Sequence, residues 1–298
     1  MAKAQNNSNA VGQEISHEHR SETLRAWRRF RANRAAVVGL VFIILIVLMA
    51  IFAEQISPHD PILIVSGKRG VGPSAEHPLG WDHVGRDLLA RVIFGSRVAL
   101  IVGLVASAVA ITIGVVVGAT AGYFGGWVDT LLSRLTDTLM AFPLIALLIV
   151  LAAVLGPSLT TTLVVIGVTT WARYARVVRA DVMSLKEQDF ITAARAAGAK
   201  DFRIIFRHVL PNVLAPVIVL ATLGVGGVII LESALSFLGL GIQPPKPSWG
   251  GTLADGRAYI TLYPHISFAP GMMIFLTVLA FNLFGDGLRD ALDPRQRG

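Results

Sequence analysis

The chain has 298 residues, of which 54% are hydrophobic and only 15% are charged. Soluble domains carry about 25% charged residues, so this composition excludes an ordinary soluble protein and indicates an integral membrane protein. The net charge of +7 is explained by basic cytoplasmic loops and gives no reason to expect a nucleic-acid partner, and the lack of cysteine excludes disulfides, thiolate metal sites and a cysteine nucleophile.

The amino-terminal part divides into a polar tail and a membrane anchor. Residues 1–23 have no apolar periodicity and are predicted to form a disordered cytoplasmic tail. Residues 24–53 are predicted to be an amphipathic segment, with Trp27 and Phe30 at helical spacing, followed by the first membrane helix at 35–53. The amphipathic segment suits a helix on an anionic leaflet, or simple basic flanking of the anchor. No signal-peptide pattern fits, so the anchor is predicted to be retained.

Five further apolar runs bring the predicted number of membrane-spanning helices to six, in an all-α polytopic fold. They lie at 98–121, 138–155, 159–175, 213–240 and 268–284. If the amino terminus is cytoplasmic, 19 of the 26 Lys and Arg residues fall on the cytoplasmic side. The positive-inside rule therefore predicts that both termini are cytoplasmic.

The runs also define the regions of the chain. Residues 54–97 are predicted to form an extracytoplasmic loop with an amphipathic helix, 98–285 the core membrane domain, and 286–298 a cytoplasmic tail. Within the core, glycines repeat every four residues from Gly114 to Gly122, which predicts close helix packing. Pro143 and the glycines of 224–227 indicate kinks near a cavity, or packing alone.

Residues 181–211 form a charged, alanine-rich insertion between the fourth and fifth runs. A helix is predicted from Asp181 to Ala197, and Gly198 is predicted to take the left-handed position after it. Asp201 is predicted to cap a second helix that Pro211 ends.

The second predicted helix of the insertion is amphipathic. Its apolar residues follow helical spacing at Phe202, Ile205, Phe206 and Val209. On the first helix, Ala193 and Ala194 offer a small surface that another element can approach. An aqueous loop gains little from such a face unless it is covered, so it either folds against the protein's own helices or receives a partner.

Glu232 is the one acid well inside an apolar run. It is predicted either to line a polar route or to anchor the end of the fifth run through hydrogen bonds to the backbone or Ser233. Arg86, in the outer loop, is a second candidate pathway or gate residue. It is expected to pair locally with Asp87 as exposed charges, worth at most about 1 kcal/mol.

No chemistry of catalysis or cofactor binding is predicted. The nucleotide-binding pattern G-x-x-x-x-G-K-[ST] and the zinc pattern H-E-x-x-H are both absent from the sequence. His59, His77 and His83 lie in the outer loop without a spacing that makes them converge. We therefore expect solvated or hydrogen-bonded histidines and no metal site.

The insertion resembles the cytoplasmic signature of the permease subunits of binding-protein-dependent ABC importers. That signature begins with Glu-Ala-Ala, has a Gly after three further residues, and ends with Ile-x-Leu-Pro after nine more. The matching positions are Ala193, Ala194, Gly198, Leu210 and Pro211, with Thr192 in place of the Glu and His208 in place of the Ile. The stretches 57–61, 79–100, 232–253 and 286–295 narrow the resemblance to the C-type permease of the dipeptide, oligopeptide and nickel branch, over about 24–295.

This resemblance implies a type I ABC importer transmembrane fold in a bacterial inner membrane. It implies a related second permease, two cytoplasmic ATPase subunits that hold ATP and Mg, and an extracytoplasmic peptide-binding protein. The residues that the resemblance places at the ATPase are Ala193, Ala194, Gly198, Phe202, Ile205, Phe206, Leu210 and Pro211. Peptides are the leading substrate, with nickel, glutathione, haem or another small solute as alternatives. A secondary transporter is the alternative from a different class.

Overall fold

The computed structural model describes residues 27–292, and within that range the chain is helical and contains no strand. The all-α prediction is therefore confirmed for this part of the chain. The predicted tail at 1–23 and residues 293–298 of the predicted tail at 286–298 lie outside the described residues, while 286–292 belong to the last helix.

A short helical segment at 27–32 precedes eleven helices. They are α1 (Arg34–Ile51), α2 (Ala53–Ile56), α3 (Leu88–Phe124), α4 (Gly126–Ala141), α5 (Leu144–Leu155), α6 (Leu159–Lys186), α7 (Asp189–Ala196), α8 (Asp201–Ile204), α9 (Leu210–Phe237), α10 (Trp249–Arg257) and α11 (Pro264–Leu292). A π-helical turn, Ile205–Val209, joins α8 to α9 without a break.

Four helical runs in the described part are long and apolar enough to cross a bilayer: α1, α3, the continuous run of α8 and α9, and α11. The bent pair of α4 and α5 gives a fifth if it is counted as one span. The helix α6 is 28 residues long, but its second half carries several charged residues, among them Arg173, Arg176 and Arg179. Six spans are therefore not confirmed by length and composition.

The third predicted span, 138–155, is not one straight helix. The axes of α4 and α5 meet at 87°, and the break falls at Phe142 and Pro143. Proline has no N–H for the helix ladder and restricts the preceding residue to extended backbone, as observed for Phe142 with ψ 138°. The predicted kink at Pro143 is confirmed.

The glycine repeat of α3 lies against α6, as predicted for close packing. A Cβ atom at Gly114 would overlap Tyr174, and one at Gly118 would overlap the carbonyl oxygen of Ala175. Gly122 is equally close to the carbonyl of Arg179. Because these positions lack side chains, the two helix backbones can approach closely along most of their shared length.

Near the amino terminus, the segment 27–32 packs against the last helix. Phe30 is buried and meets the ring of Phe284 edge-on, with 5.6 Å between the ring centroids. Trp27 stacks on Phe30 and remains half exposed. This segment therefore does more than supply basic flanking residues, because part of its apolar face contacts the bundle.

Three predictions for the insertion are wrong in detail. The helix predicted at 181–197 is interrupted at Glu187 and Gln188, because Gln188 is extended and Asp189 opens a new helix with its carboxylate in the first turn. Asp201 lies inside the first turn of α8 and does not cap it. Pro211 does not end a helix, because it lies in the first turn of α9, where a missing N–H is tolerated.

Candidate functional site

The insertion forms a compact helical hairpin between α6 and α9, made of α7, a turn at Gly198, and α8 with its π-helical turn. Gly198 has φ +81°, so its predicted left-handed conformation is confirmed. The N–H groups of Gly198 and Ala199 donate to the carbonyls of Arg195 and Ala194, which closes the end of α7. The hairpin is thus held in one geometry by its own backbone.

Two faces of the hairpin have opposite environments. Ile191, Ile204 and Val209 are fully buried in a cluster with Val178 and other residues of the bundle. This cluster fixes the hairpin against α6, and the sequence analysis did not assign Ile191 or Ile204 to it. An apolar face that packs on the protein's own helices was one of the two predicted alternatives.

The other face is open. Phe202 is 73% exposed and Phe206 is 56% exposed, and their ring centroids lie 4.3 Å apart. Ala193 and Gly198 are exposed as well, while Ala194, Ile205 and Leu210 are partly covered and Pro211 is exposed. The predicted residues therefore do not share one face: Val209 is in the core, whereas the two phenylalanines form an exposed aromatic pair.

A polar contact holds the base of this aromatic pair. The hydroxyl of Tyr123, at the end of α3, donates to Asp201 Oδ1 at 2.6 Å. Nearby, Arg179 of α6 donates from Nε and Nη2 to the carboxylate of Asp129 in α4, at 2.5 and 2.6 Å. Charge-assisted contacts of this kind are short and directional, so α3, α4, α6 and the hairpin are joined at one end of the bundle.

A cavity of about 500 Å³ lies between α4, α5, α6 and α9. Most of its lining is apolar, and it includes Phe142 at the proline break and the backbone of Gly224 and Gly227. Both alternatives predicted for the glycines of 224–227 are seen, because Gly224 and Gly227 line the cavity whereas Gly226 faces Val278 and Phe281, and α9 continues through all three. The helix backbone itself forms part of the wall because glycine has no side chain.

Arg173 carries the one charged side chain that lines this cavity. The neighbouring hydroxyls of Thr169 and Thr170 donate to carbonyls of their own helix, so they do not engage it. Among the described residues no carboxylate pairs with Arg173. From sequence, Arg173 is predicted only to be one of the cytoplasmic charges. Helical periodicity does not indicate that its side chain faces a cavity.

Glu232 is fully buried within α9 and is not at the surface of this cavity. Its carboxylate accepts from the hydroxyl of Ser236 at 2.8 Å and from that of Ser233 at 3.2 Å. Ser236 Oγ in turn accepts from the N–H of Ile242 at 3.2 Å. These contacts are those of the predicted anchoring role, and they connect the end of α9 to the loop that follows it.

Arg86 lies in a buried cluster of charges in the loop between α2 and α3. It donates to Asp82 at 2.5 Å and, across 169 residues of sequence, to Asp255 of α10 at 3.0 Å. Arg91 lies 3.5 Å from Asp82 and 3.8 Å from Asp255. The expected exposed pair of Arg86 with Asp87 is wrong, because the guanidinium donates instead to Asp82, four residues earlier in the same turn.

Family comparisons agree along most of the chain. Residues 110–298 match the binding-protein-dependent transport system inner membrane component, and residues 21–69 match the N-terminal TM domain of oligopeptide transport permease C. The dipeptide transport system permease protein DppC of Alkalihalophilus pseudofirmus is 46% identical over 272 residues, 91% of this chain and 90% of that protein. The glutathione transport system permease protein GsiD of Shigella flexneri is 45% identical over 273 residues, with the same coverage of both chains.

Proposed function

Because the chain belongs to the family of binding-protein-dependent transport system inner membrane components, which are permease subunits of ABC importers, we propose that it forms half of a translocation path for peptides. The two relatives at 46% and 45% identity are named for dipeptide and glutathione transport. Glutathione, itself a small peptide, is therefore the alternative substrate.

The observation that carries this proposal is the exposed pair of Phe202 and Phe206 on an anchored hairpin. Two adjacent aromatic side chains in water are costly unless a partner covers them. The hairpin is fixed from behind by the buried cluster and by the hydrogen bond of Tyr123, so a force applied to its open face would reach the bundle. Cytoplasmic ATPase subunits, which would hold ATP and Mg, are the partner that the family provides.

The cavity beside the proline break supports a peptide substrate. A peptide carries a carboxylate, and Arg173 is a cation without a carboxylate partner among the described residues. Its side chain is exposed at the start of the charged half of α6, where it is accessible to a ligand in the cavity. We assign Arg173 to contact the substrate carboxylate, with the apolar lining left to accommodate varied side chains.

The complete complex would contain a related second permease that supplies the other half of the path, and an extracytoplasmic binding protein that delivers the peptide. We place both termini in the cytoplasm on the distribution of Lys and Arg. In the proposed type I fold, α6 is the additional span. Its first half is largely uncharged, whereas its second half carries the charges and packs along the glycines of α3.

Reconstituted transport tests the proposal. The chain is inserted into proteoliposomes with its sibling permease and ATPase subunits, and uptake of a radiolabelled dipeptide is measured with the binding protein outside. We expect uptake that requires ATP and survives a protonophore. Uptake by the chain alone, driven by an ion gradient, would instead identify a secondary transporter. Competition between dipeptide and glutathione for uptake shows which of the two substrates is preferred.

A further inference from the structure

Two histidines of the outer loop converge on one carboxylate. His77 Nδ1 lies 2.6 Å from Asp87 Oδ2, and His59 Nδ1 lies 3.6 Å from the same oxygen. The two imidazole rings are 4.3 Å apart between centroids. The expectation that these histidines do not converge is wrong, because the loop folds back and brings positions 28 residues apart to one point.

The local backbone holds each of the three side chains in place. Asp87 caps α3 with only one carboxylate oxygen, since Oδ1 accepts from the N–H of Ala90 at 2.7 Å and leaves Oδ2 directed at the rings. The carbonyl of His59 accepts from Ser57 Oγ at 2.8 Å. The N–H of His77 donates to Ser74 Oγ at 3.1 Å. The cluster is therefore built before any ligand arrives.

The bonding within the cluster is incomplete. His59 Nδ1 is buried and has no hydrogen-bond partner in the described part of the chain. Asp87 is 2% exposed, and no Lys or Arg among residues 27–292 forms an ion pair with it. Both oxygens of Asp87 have a hydrogen-bond partner, Oδ1 in Ala90 N–H and Oδ2 in His77 Nδ1, so the atom left without one is His59 Nδ1. A buried polar atom without a partner is costly, and a cation held between the two rings and the carboxylate would supply one.

The neighbouring set of Asp82, His83 and Asp255 also has a buried histidine Nδ1 without a hydrogen-bond partner, that of His83, but its carboxylates differ. Asp82 Oδ1 accepts from three backbone N–H groups, and Oδ2 accepts from Arg86. Asp255 accepts from Arg86 as well. Arginine already neutralises both carboxylates, so this second set has no comparable demand for a cation.

We propose that His59, His77 and Asp87 bind a divalent transition-metal ion of the zinc type, with water in the remaining position. Two imidazole nitrogens and one carboxylate oxygen are a usual donor set for Zn²⁺. Zinc bonds of about 2.0–2.2 Å place tetrahedral ligand atoms about 3.4 Å apart. The three ligand atoms here lie within 4.8 Å of one another, and the 3.6 Å between His59 Nδ1 and Asp87 Oδ2 is near this value. The 2.6 Å hydrogen bond between His77 Nδ1 and the same oxygen would open to admit the ion.

The bound ion would connect the beginning of the loop between α2 and α3 to the end of that loop. His59 follows the end of α2, and Asp87 begins α3, so the metal would connect the exit of the first span to the entry of the second. Because the ion binds only the folded loop, it raises the free energy of unfolding, and tighter binding raises it further. The inference does not depend on the identity of the transported substrate.

Zinc titration of the full-length chain tests the site. The protein is purified in detergent without a polyhistidine tag, with His17 and His19 of the amino-terminal tail replaced by Gln, and is stripped with a chelator. Isothermal titration with ZnCl₂ is expected to show one ion per chain and a rise in the thermal unfolding temperature. The variants His59→Gln and Asp87→Asn are expected to weaken binding at least tenfold, and Asn preserves the helix cap.

His83→Gln is the matched control, since it removes an outer-loop histidine from the other cluster and is expected to bind zinc as the parent does. Substitution with Co²⁺ reports the geometry, because a four-coordinate nitrogen and oxygen site gives intense visible absorption that His59→Gln should abolish. The proposal is overturned if the parent binds no zinc. It is equally overturned if the His59 and Asp87 variants bind with unchanged affinity, or if the loss in His83→Gln is as large.

Discussion

Tyr123 at the end of α3 donates a 2.6 Å hydrogen bond to Asp201 in the first turn of α8, across 78 residues of sequence. This bond connects a helix of the bundle directly to the element that carries the exposed aromatic pair. At the same end of the bundle, Arg179 of α6 donates to Asp129 of α4. The helices next to the hairpin are therefore joined by charge-assisted contacts.

Tyr123→Phe retains the ring and removes only this bond. We expect α8 to loosen by about 1 kcal/mol, because Asp201 is exposed and water competes for its carboxylate. Hydrogen exchange of the α8 amides, followed by mass spectrometry, should increase, and uptake per ATP hydrolysed should fall. Tyr259→Phe, in the segment between α10 and α11, is the control and should leave both quantities unchanged. Unaltered exchange in Tyr123→Phe would show that the bond does not hold the hairpin.

Phe206→Asp places a charge in the exposed aromatic pair without disturbing a buried contact. The protein is expected to insert in the membrane normally, to lose co-purification of the ATPase subunits, and to lose uptake, because an apolar docking contact would then bury a carboxylate. Leu262→Asp is the control, because Leu262 is 72% exposed, close to the 73% of Phe202, but lies between α10 and α11 and outside the hairpin. If ATPase subunits still co-purify with Phe206→Asp, the aromatic pair is not the docking surface.

Gly198→Val tests the left-handed turn of the hairpin. An L-residue at φ +81° costs about 1–2 kcal/mol, although nothing lies within 4 Å of the added Cβ, so the effect comes from the backbone alone. We expect uptake to be abolished while the amount of protein in the membrane is unchanged. Gly198→Asn should retain most of the uptake, since asparagine tolerates this conformation. Equal activity of the Val and Asn variants would rule out a conformational requirement.

Arg173→Gln removes the one charge that lines the cavity. Loss of a charge-assisted hydrogen bond to a substrate carboxylate, worth about 1.5–3 kcal/mol, should lower dipeptide uptake at least tenfold. Arg173→Lys keeps the charge and should lose less. Arg257→Gln is the control, because Arg257 lies over the ring of Phe237 and outside the cavity. Dipeptide uptake by Arg173→Gln at the parent's rate would remove Arg173 from the path.

Glu232→Gln should transport normally. Its amide oxygen can still accept from Ser236, and the fully buried side chain lies away from the cavity surface. Glu232→Leu leaves the hydroxyl of Ser236 without its acceptor and is expected to destabilise the protein by about 1–3 kcal/mol in thermal unfolding. A transport defect in Glu232→Gln with unchanged stability would favour the alternative in which this carboxylate lines the route.

Several features of the fold could be predicted from individual residues and their near neighbours. The apolar runs predicted membrane helices, Pro143 predicted a break, and Gly198 predicted a left-handed turn, because each of these depends on the residue and its near neighbours. The glycine repeat of α3 predicted a close helix contact for the same reason.

The faces of the hairpin could not be predicted in the same way. An α-helical period groups Val209 with Phe202 and Phe206, but the π-helical turn has i→i+5 bonds and groups Val209 with Ile204, five residues earlier, in the core. The residue types at these positions do not predict a π-helical turn. The pairing of Arg86 with Asp255 and the convergence of His59 and His77 also depend on loop folding over long sequence distances.

The unbroken run from Asp201 to Phe237 has a mechanical consequence. At 1.5 Å per residue its 37 residues form a rod about 55 Å long, with Phe202 near one tip and Gly224 well along its shaft. The π-helical turn and Pro216 lie between these two points, and each is a place where a helix can bend. A push on the aromatic pair can therefore travel to the glycine wall through one continuous helix, and these two places set how much of the movement arrives.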